Sequence, residues 1–304
     1  MAQDRPRTTL SEHLSGWYRV AVGAVVELDA NVYRADLSDG RSWVARCLPP
    51  AAQQAAETTA LLLRRLESSP FPAERLAHPD PVSEMGGSPV LVTEFVHGPR
   101  APGTLRMFAA LGAMLGGLHS RSGEALPPGG AWHHLVPGQG TPRDEIRAAI
   151  RLLDETEGDP AARLTLRSEL ASLDDAEDLP QGVVHPDFVP FNVIRSPEYG
   201  PVVIDWLGAG RGPRLWSLGF LLWAAGSRNL EFVVAVAARY RERVSPTDDE
   251  LDRLPDAVRG RALTIDAWSA AHGRLTWSEA VRRLDRAEAT AERIAARARA
   301  AFRE

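Results

Sequence analysis

The sequence predicts an α+β chain in two lobes, a small antiparallel sheet followed by a larger, mostly helical part. Three observations carry that expectation. At 304 residues the chain exceeds the usual single-domain size and can bury two separate cores. Short alternating apolar runs fill the first hundred residues, whereas apolar residues recur at helical spacing beyond Gly98. Hydrophobic residues at 44% and charged residues at 25% are those of an ordinary globular protein, which excludes disorder for the bulk of the chain.

The elements follow in order. Residues 18–26 and 31–37 alternate around a turn, Asp39-Gly40 supplies a hairpin signal, and 42–48 completes a three-strand meander. Pro49-Pro50 stops the last strand, and Ala56, Ala60, Leu63 and Leu66 predict a helix over 51–68. Two further strands are expected at 75–79 and 88–94, on either side of Met85-Gly86-Gly87. Gly98-Pro99 and Pro102-Gly103 mark a lobe boundary, which gives an N-lobe over 1–97 and a C-lobe over 98–304. Leu105, Phe108, Leu111, Leu115 and Leu118 form the apolar stripe of a helix ending at His119. The loop 127–142 is long for a connector and is expected to border a binding site. A helical pair over 144–176 breaks at Gly158-Asp159-Pro160, short strands fall near 183–184, 193–195 and 202–204, and helices cover 215–238, 250–268 and 277–302.

Charge and composition narrow the partners. A net charge of −5 argues against nucleic acid, which selects basic stripes, and favours a cationic small molecule. The chain contains no Lys, so all 35 basic residues are Arg, and any phosphate-binding cation must be a guanidinium. The single cysteine, Cys47, excludes an internal disulfide and a cysteine-based zinc site, which fits a reducing cytoplasm. The first eleven residues are polar and lack the apolar core of a signal peptide, and the greasiest runs, near 218–226 and 232–238, fall short of a membrane span. The oligomeric state leaves no trace.

The chemistry concentrates between Val183 and Trp206. There His185-x-Asp187-x-x-x-x-Asn192 lies between apolar β-formers, and a second acid, Asp205, closes the next apolar run. Each residue alone reads as a core histidine or as turn residues. Together and in this order they match the needs of phosphoryl transfer: one carboxylate to accept a hydroxyl proton, and an amide oxygen with a second carboxylate to hold Mg2+ on nucleotide phosphates. Five residues separate Asp187 from Asn192, the separation found in protein-kinase catalytic loops.

These residues resemble the aminoglycoside phosphotransferase superfamily, which includes choline, homoserine and methylthioribose kinases and carries H-G-D-x-x-x-x-N followed by I-D-W or I-D-F. His185-Pro186-Asp187 through Asn192, and Ile204-Asp205-Trp206, match those motifs. The resemblance implies a bilobal, protein-kinase-like fold. It further implies ATP or GTP as co-substrate, Asp187 as proton acceptor, and Asn192 and Asp205 as metal ligands. Trp43-Val44-Ala45-Arg46 is similar to the strand that supplies the nucleotide-contacting cation, Glu57 to that cation's ion-pair partner, and residues 91–98 to the hinge whose Glu94 and Val96 backbone groups would meet adenine. Four departures stand out: Pro186 for Gly, Arg46 for the more usual Lys, Ser217 for Asp, and a single Gly23 where a Gly-rich loop is expected.

The resemblance gives no acceptor signature. A hydroxyl-bearing antibiotic is the expected acceptor, with the acidic residues Asp174, Asp175, Glu177 and Asp178 as a conceivable cation site, although a solvated helix end explains them better. The alternatives are a metabolite kinase for choline, an amino alcohol or a sugar, with Trp206, Trp216, Trp223 and Trp268 as a conceivable cation–π box, and a nucleotide-binding regulatory module without catalysis.

Overall fold

The computed structural model describes residues 4–121 and 126–304; Met1–Gln3, part of the polar N-terminal stretch read above, lie outside the described residues. The chain divides into two compact units, Met1–Pro99 with Ile194–Leu207, and Arg100–Val193 with Gly208–Glu304. Residues 194–207, expected with the helical lobe, group with the first unit. The Val203 N–H donates to the Pro72 carbonyl at 2.8 Å, and the Glu74 N–H donates to the Val203 carbonyl at 2.9 Å.

The first unit begins with helix α1, Asp4–Tyr18, where the sequence reading placed no helix and started a strand at Tyr18. Leu10, Leu14 and Tyr18 are spaced by four and form one buried stripe, which packs on Trp43, Ala45, Val90 and Val92 of the sheet. Arg19, at φ 55°, then turns the chain out of the helix.

The sheet runs β1 Val22–Asp29, β2 Val32–Leu37, β3 Ser42–Cys47, β4 Val82–Met85 and β5 Ser88–Glu94, in the spatial order β1-β2-β3-β5-β4, and all its pairings are antiparallel. The β2–β3 turn falls at Asp39-Gly40, with Gly40 at φ 86°, a conformation that favours glycine. The strand expected at 75–79 is instead β4, paired with β5 across Gly86-Gly87; residues 75–79 contribute only an isolated bridge from Leu76 to Thr93. Between β3 and β4, helix α2, Gln53–Glu67, buries Ala56, Ala60 and Leu63.

The second unit is mostly helical. Helix α3, Leu105–His119, is capped by the Thr104 hydroxyl. Helices α4, Pro142–Glu155, and α5, Pro160–Ser172, separate at the expected Gly158-Asp159-Pro160, with Asp159 capping α5. Strand β6, Gln181–Val184, leads into the loop that carries His185, Asp187 and Asn192. Strands β7, Val193–Ser196, and β8, Gly200–Val203, pair as a hairpin that enters the first unit, and β9, Gly210–Pro213, returns to pair antiparallel with β6.

The expected 215–238 helix is two helices, α6 Arg214–Gly226 and α7 Leu230–Arg241: Ser227 is the C-cap of the first, and the Asn229 side chain caps the second. A short α8, Asp248–Asp252, precedes α9, Leu254–Ala271, and the long α10, Trp277–Arg303. The core between α4, α5 and α9 gathers Ile146, Leu153, Leu166, Leu170 and Leu263. Among the described residues no helix is long and apolar enough to cross a membrane.

Candidate active site

On the second unit, the chain leaves β6 into a tight loop. The Asp187 N–H donates to His185 Nδ1 at 3.0 Å, so His185 carries its ring proton on Nε2. Asn192 donates through Nδ2 to Asp187 Oδ2 at 2.8 Å and to the Asp187 carbonyl at 3.0 Å. Both donors of the amide are thereby spent on Asp187, and its Oδ1 remains an acceptor. Pro186 fits because the loop's hydrogen bonds use the N–H groups of the residues on either side of it.

The Ser217 departure also has a structural account. Its buried hydroxyl donates to the His185 carbonyl at 2.8 Å and accepts the His185 N–H at 3.1 Å, so one side chain satisfies both backbone groups at the loop's entrance. Beneath the loop, the guanidinium of Arg261 is fully buried, ion-paired with Glu145 at 2.6 Å and bonded to the Gly130 carbonyl at 3.0 Å. Burial pulls the Arg261 pKa down, while Glu145 and then Asp187 oppose that shift electrostatically. Arg261 is therefore a buried positive charge within electrostatic reach of Asp187. The same contact anchors the 127–142 loop, whose Gly130 N–H donates to the Gly208 carbonyl.

On the first unit, Arg46 of β3 is buried in a network of its own. It donates to Thr93 Oγ1 at 3.1 Å and to Glu74 at 3.2 Å, and its Nε lies 3.8 Å from Asp205 Oδ1. Thr93 also donates to Glu74 at 2.9 Å, and the Asp205 N–H donates to the other Glu74 oxygen at 2.8 Å. Burial opposes the Arg46 charge, but Glu74 and Asp205 outweigh it and raise the pKa. Asp205 itself sits at φ 67°, a left-handed conformation rare for a residue with a side chain and often found at functional sites.

This network corrects the expected partner of Arg46. Glu57 is exposed on α2 and accepts from Gln53 at 2.7 Å, while the ion pair of Arg46 goes to Glu74. The buried face of α2 carries Thr58 and Thr59 instead. Glu74 left no signal in the sequence, because it lies in an irregular segment that becomes a partner of Arg46 only through the pairing of 72–74 with β8.

At the hinge, the Glu94 N–H already donates to the Arg75 carbonyl, and the Phe95 N–H to the Ser42 carbonyl. Glu94 and Val96 line a cavity of about 470 Å³ within the first unit, together with Trp43, Phe71 and Tyr199. Burial pushes the Cys47 thiol up to about 11, which disfavours the nucleophilic thiolate.

The model of the phosphotransferase enzyme family matches residues 26–254, three quarters of the chain, a span that includes Arg46, the Asp187 loop and Asp205. The chain belongs to the phosphotransferase enzyme family. It is 28% identical over 216 residues to a homoserine kinase of Chelativorans sp. strain BNC1, a match that covers 66% of this chain and 63% of that protein. The chain thus aligns with less than two thirds of the length of its curated relative.

Solved structures show the fold. The choline kinase LicA from Streptococcus pneumoniae superposes with a TM-score of 0.68 at 17% identity, covering 94% of this chain and 98% of the other. An amicoumacin kinase in complex with AMP-PNP and Ca2+ gives 0.67 at 15% identity, covering 93% and 92%.

Neither conceivable cation site of this family member is formed. Asp174 and Asp178 are held by Arg253, and Asp175 and Glu177 by Arg143, so the acidic residues near the end of α5 neutralise arginines of their own unit. Of the four tryptophans, Trp206 and Trp216 are fully buried core residues, and Trp268 packs against Trp132 and Arg274.

Proposed function

We propose that this chain is a small-molecule O-kinase that transfers the γ-phosphate of ATP or GTP to a hydroxyl group. The observation that carries the reading is the Asp187–Asn192 pair, in which the amide spends its donors on the carboxylate and the main-chain carbonyl of Asp187 and keeps its oxygen for a cation. In this reading Asp187, within electrostatic reach of Arg261, accepts the proton of the attacking hydroxyl.

The donor set suits Mg2+. Asn192 Oδ1 and the Asp205 carboxylate are hard oxygens, and magnesium is commonly held by one or two carboxylates together with substrate phosphates. Among the described residues no cluster of three His, Cys, Asp or Glu could hold a metal alone, so nucleotide phosphates would complete the shell. The charges agree as well: two carboxylates, Glu74 and Asp205, surround one guanidinium, Arg46, and a divalent cation at Asp205 would offset the surplus. Such a metal neutralises charge on the transferring group.

Arg46, held by Glu74 and Thr93, is the cation proposed for the phosphate oxygens, which a planar guanidinium fork suits. The Glu94 carbonyl and the Val96 N–H are the hinge groups proposed for the purine edge, because the Glu94 N–H is already used.

For the acceptor, an antibiotic hydroxyl rests on the superfamily resemblance, and a metabolite hydroxyl on the homoserine kinase relative and the choline kinase fold. Coupled-enzyme measurement of ADP release tests the reading. A hydroxylated acceptor should raise ADP release well above the rate in water alone. Nucleotide binding with no such acceleration across antibiotics, amino alcohols and sugars would favour the regulatory module. Expression in a sensitive bacterium, scored by inhibitory concentrations, separates antibiotic from metabolite.

A further inference from the structure

A cavity of about 760 Å³ opens in the second unit, and the segment 189–191, between Asp187 and Asn192, forms one of its walls. Beside Phe108 of α3, three helices supply most of the rest: Phe220 and Trp223 from α6, Ile265 and Asp266 from α9, and a stripe of α10 that includes Arg283, Arg286, Thr290 and Arg293. Its size is that of a drug-sized ligand site.

The charge of the described lining is one-sided. Asp266 is the only acid among the described residues of the lining, and Arg283 holds it at 2.9 Å. Arg228, Arg286 and Arg293 complete the lining, and among the described residues none of the three makes an ion pair. Helix α10 does carry Glu288 and Glu292, but neither lines the cavity. The aromatic surface is also on offer. Phe191 is 64% exposed, with the Arg100 guanidinium over one face of its ring at 4.0 Å from the centroid, and Trp223 and Phe220 are half-buried.

We propose that the acceptor is an anionic small molecule, a hydroxylated compound whose carboxylate or comparable acid is held by Arg228, Arg286 and Arg293 and whose apolar body stacks on Phe191 and Trp223. This rests on the kinase reading and deepens it, since the 189–191 wall places the cavity against the loop that carries Asp187. Guanidinium forks bind carboxylates bidentately and stack on aromatic rings, so one lining serves both parts of such a molecule. A cationic acceptor would meet three like charges that make no ion pair among the described residues. The mild overall acidity that favours a cation describes the whole surface and not this cavity.

The test measures binding apart from turnover. Calorimetric titration uses 3-(4-hydroxyphenyl)lactate, its methyl ester, choline and kanamycin as probes, on the wild-type chain and on the Arg286→Gln/Arg293→Gln double variant, with circular dichroism to check folding. The acid should bind at least tenfold more tightly than its ester, and the double variant should lose that preference while keeping the wild-type melting temperature. Tight binding of choline or kanamycin, no binding of the acid, or an acid preference untouched by the double variant would each overturn the proposal. ADP release on the same probes reports separately on the kinase reading: an acid preference in binding without release with any acceptor sinks that reading and leaves the site standing.

Discussion

The backbone N–H of Asp205 donates to the Glu74 carboxylate at 2.8 Å, and the other oxygen of that carboxylate takes Arg46 and Thr93. One buried side chain thus fixes the conformation of a residue at φ 67° and the position of the neighbouring guanidinium. The helix glutamate expected for this task, Glu57, lies exposed.

Glu74→Ala should leave Arg46 buried without its main counter-charge, a loss of the order of 3–5 kcal/mol for breaking a buried pair. Glu74→Gln keeps the shape and should raise the KM for nucleotide more than it lowers the melting temperature. Glu57→Ala should change both within about twofold, as surface pairs do. Steady-state kinetics and thermal melts of the three variants check this; a nucleotide KM that responds to Glu57 and ignores Glu74 would restore the helix glutamate.

Asp187→Asn should lower kcat by ~10²–10⁴, the usual contribution of a positioned base, with nucleotide affinity nearly intact. Single-turnover rates alongside calorimetric nucleotide binding make the measurement. Turnover close to wild type would remove Asp187 from proton transfer.

Asp205→Ala should abolish the magnesium dependence of ATP binding together with activity. Titration of Mg2+ in the presence of ATP provides the readout, and an unchanged metal dependence contradicts the assignment.

His119 predicts a pH effect on stability. It is buried, its Nδ1 lies 2.8 Å from the Tyr240 hydroxyl, and burial, with Arg214 adding repulsion, lowers its pKa from 6.5 to about 3. The unfolded chain binds this proton below about 6.5 and the folded chain only near 3, so the contribution is full above 6.5 and is lost as pH falls between the two values. The slope from this one group approaches ~1.4 kcal/mol per pH unit. Urea melts between pH 6.5 and 4.5 should show a shallower acid loss in His119→Gln than in the wild type, and parallel curves would assign the acid limb to other groups.

What the sequence determined by itself is what depends on local spacing. The hairpin at Asp39-Gly40, the split at Asp159-Pro160 and the helix ending at His119 follow from turn residues and 3.6-residue periodicity, which act over a few residues. The five-residue separation of Asp187 and Asn192 was legible for the same reason, since the amide reaches the carboxylate within one loop. Helix α1 was legible in principle through Leu10, Leu14 and Tyr18, but its few apolar residues were outweighed by the polar stretch around them.

The partners of the charges were decided only by the tertiary structure. Glu74 meets Arg46 and Asp205 across 28 and 131 residues of chain, and Glu145 meets Arg261 from a separate helix. A buried charge is stable only beside a counter-charge, yet any carboxylate brought to it will serve, so one-dimensional spacing does not choose among them. The arginine-lined cavity has the same origin: α6, α9 and α10 each show an unremarkable amphipathic pattern, and the one-sided charge exists only where their faces converge.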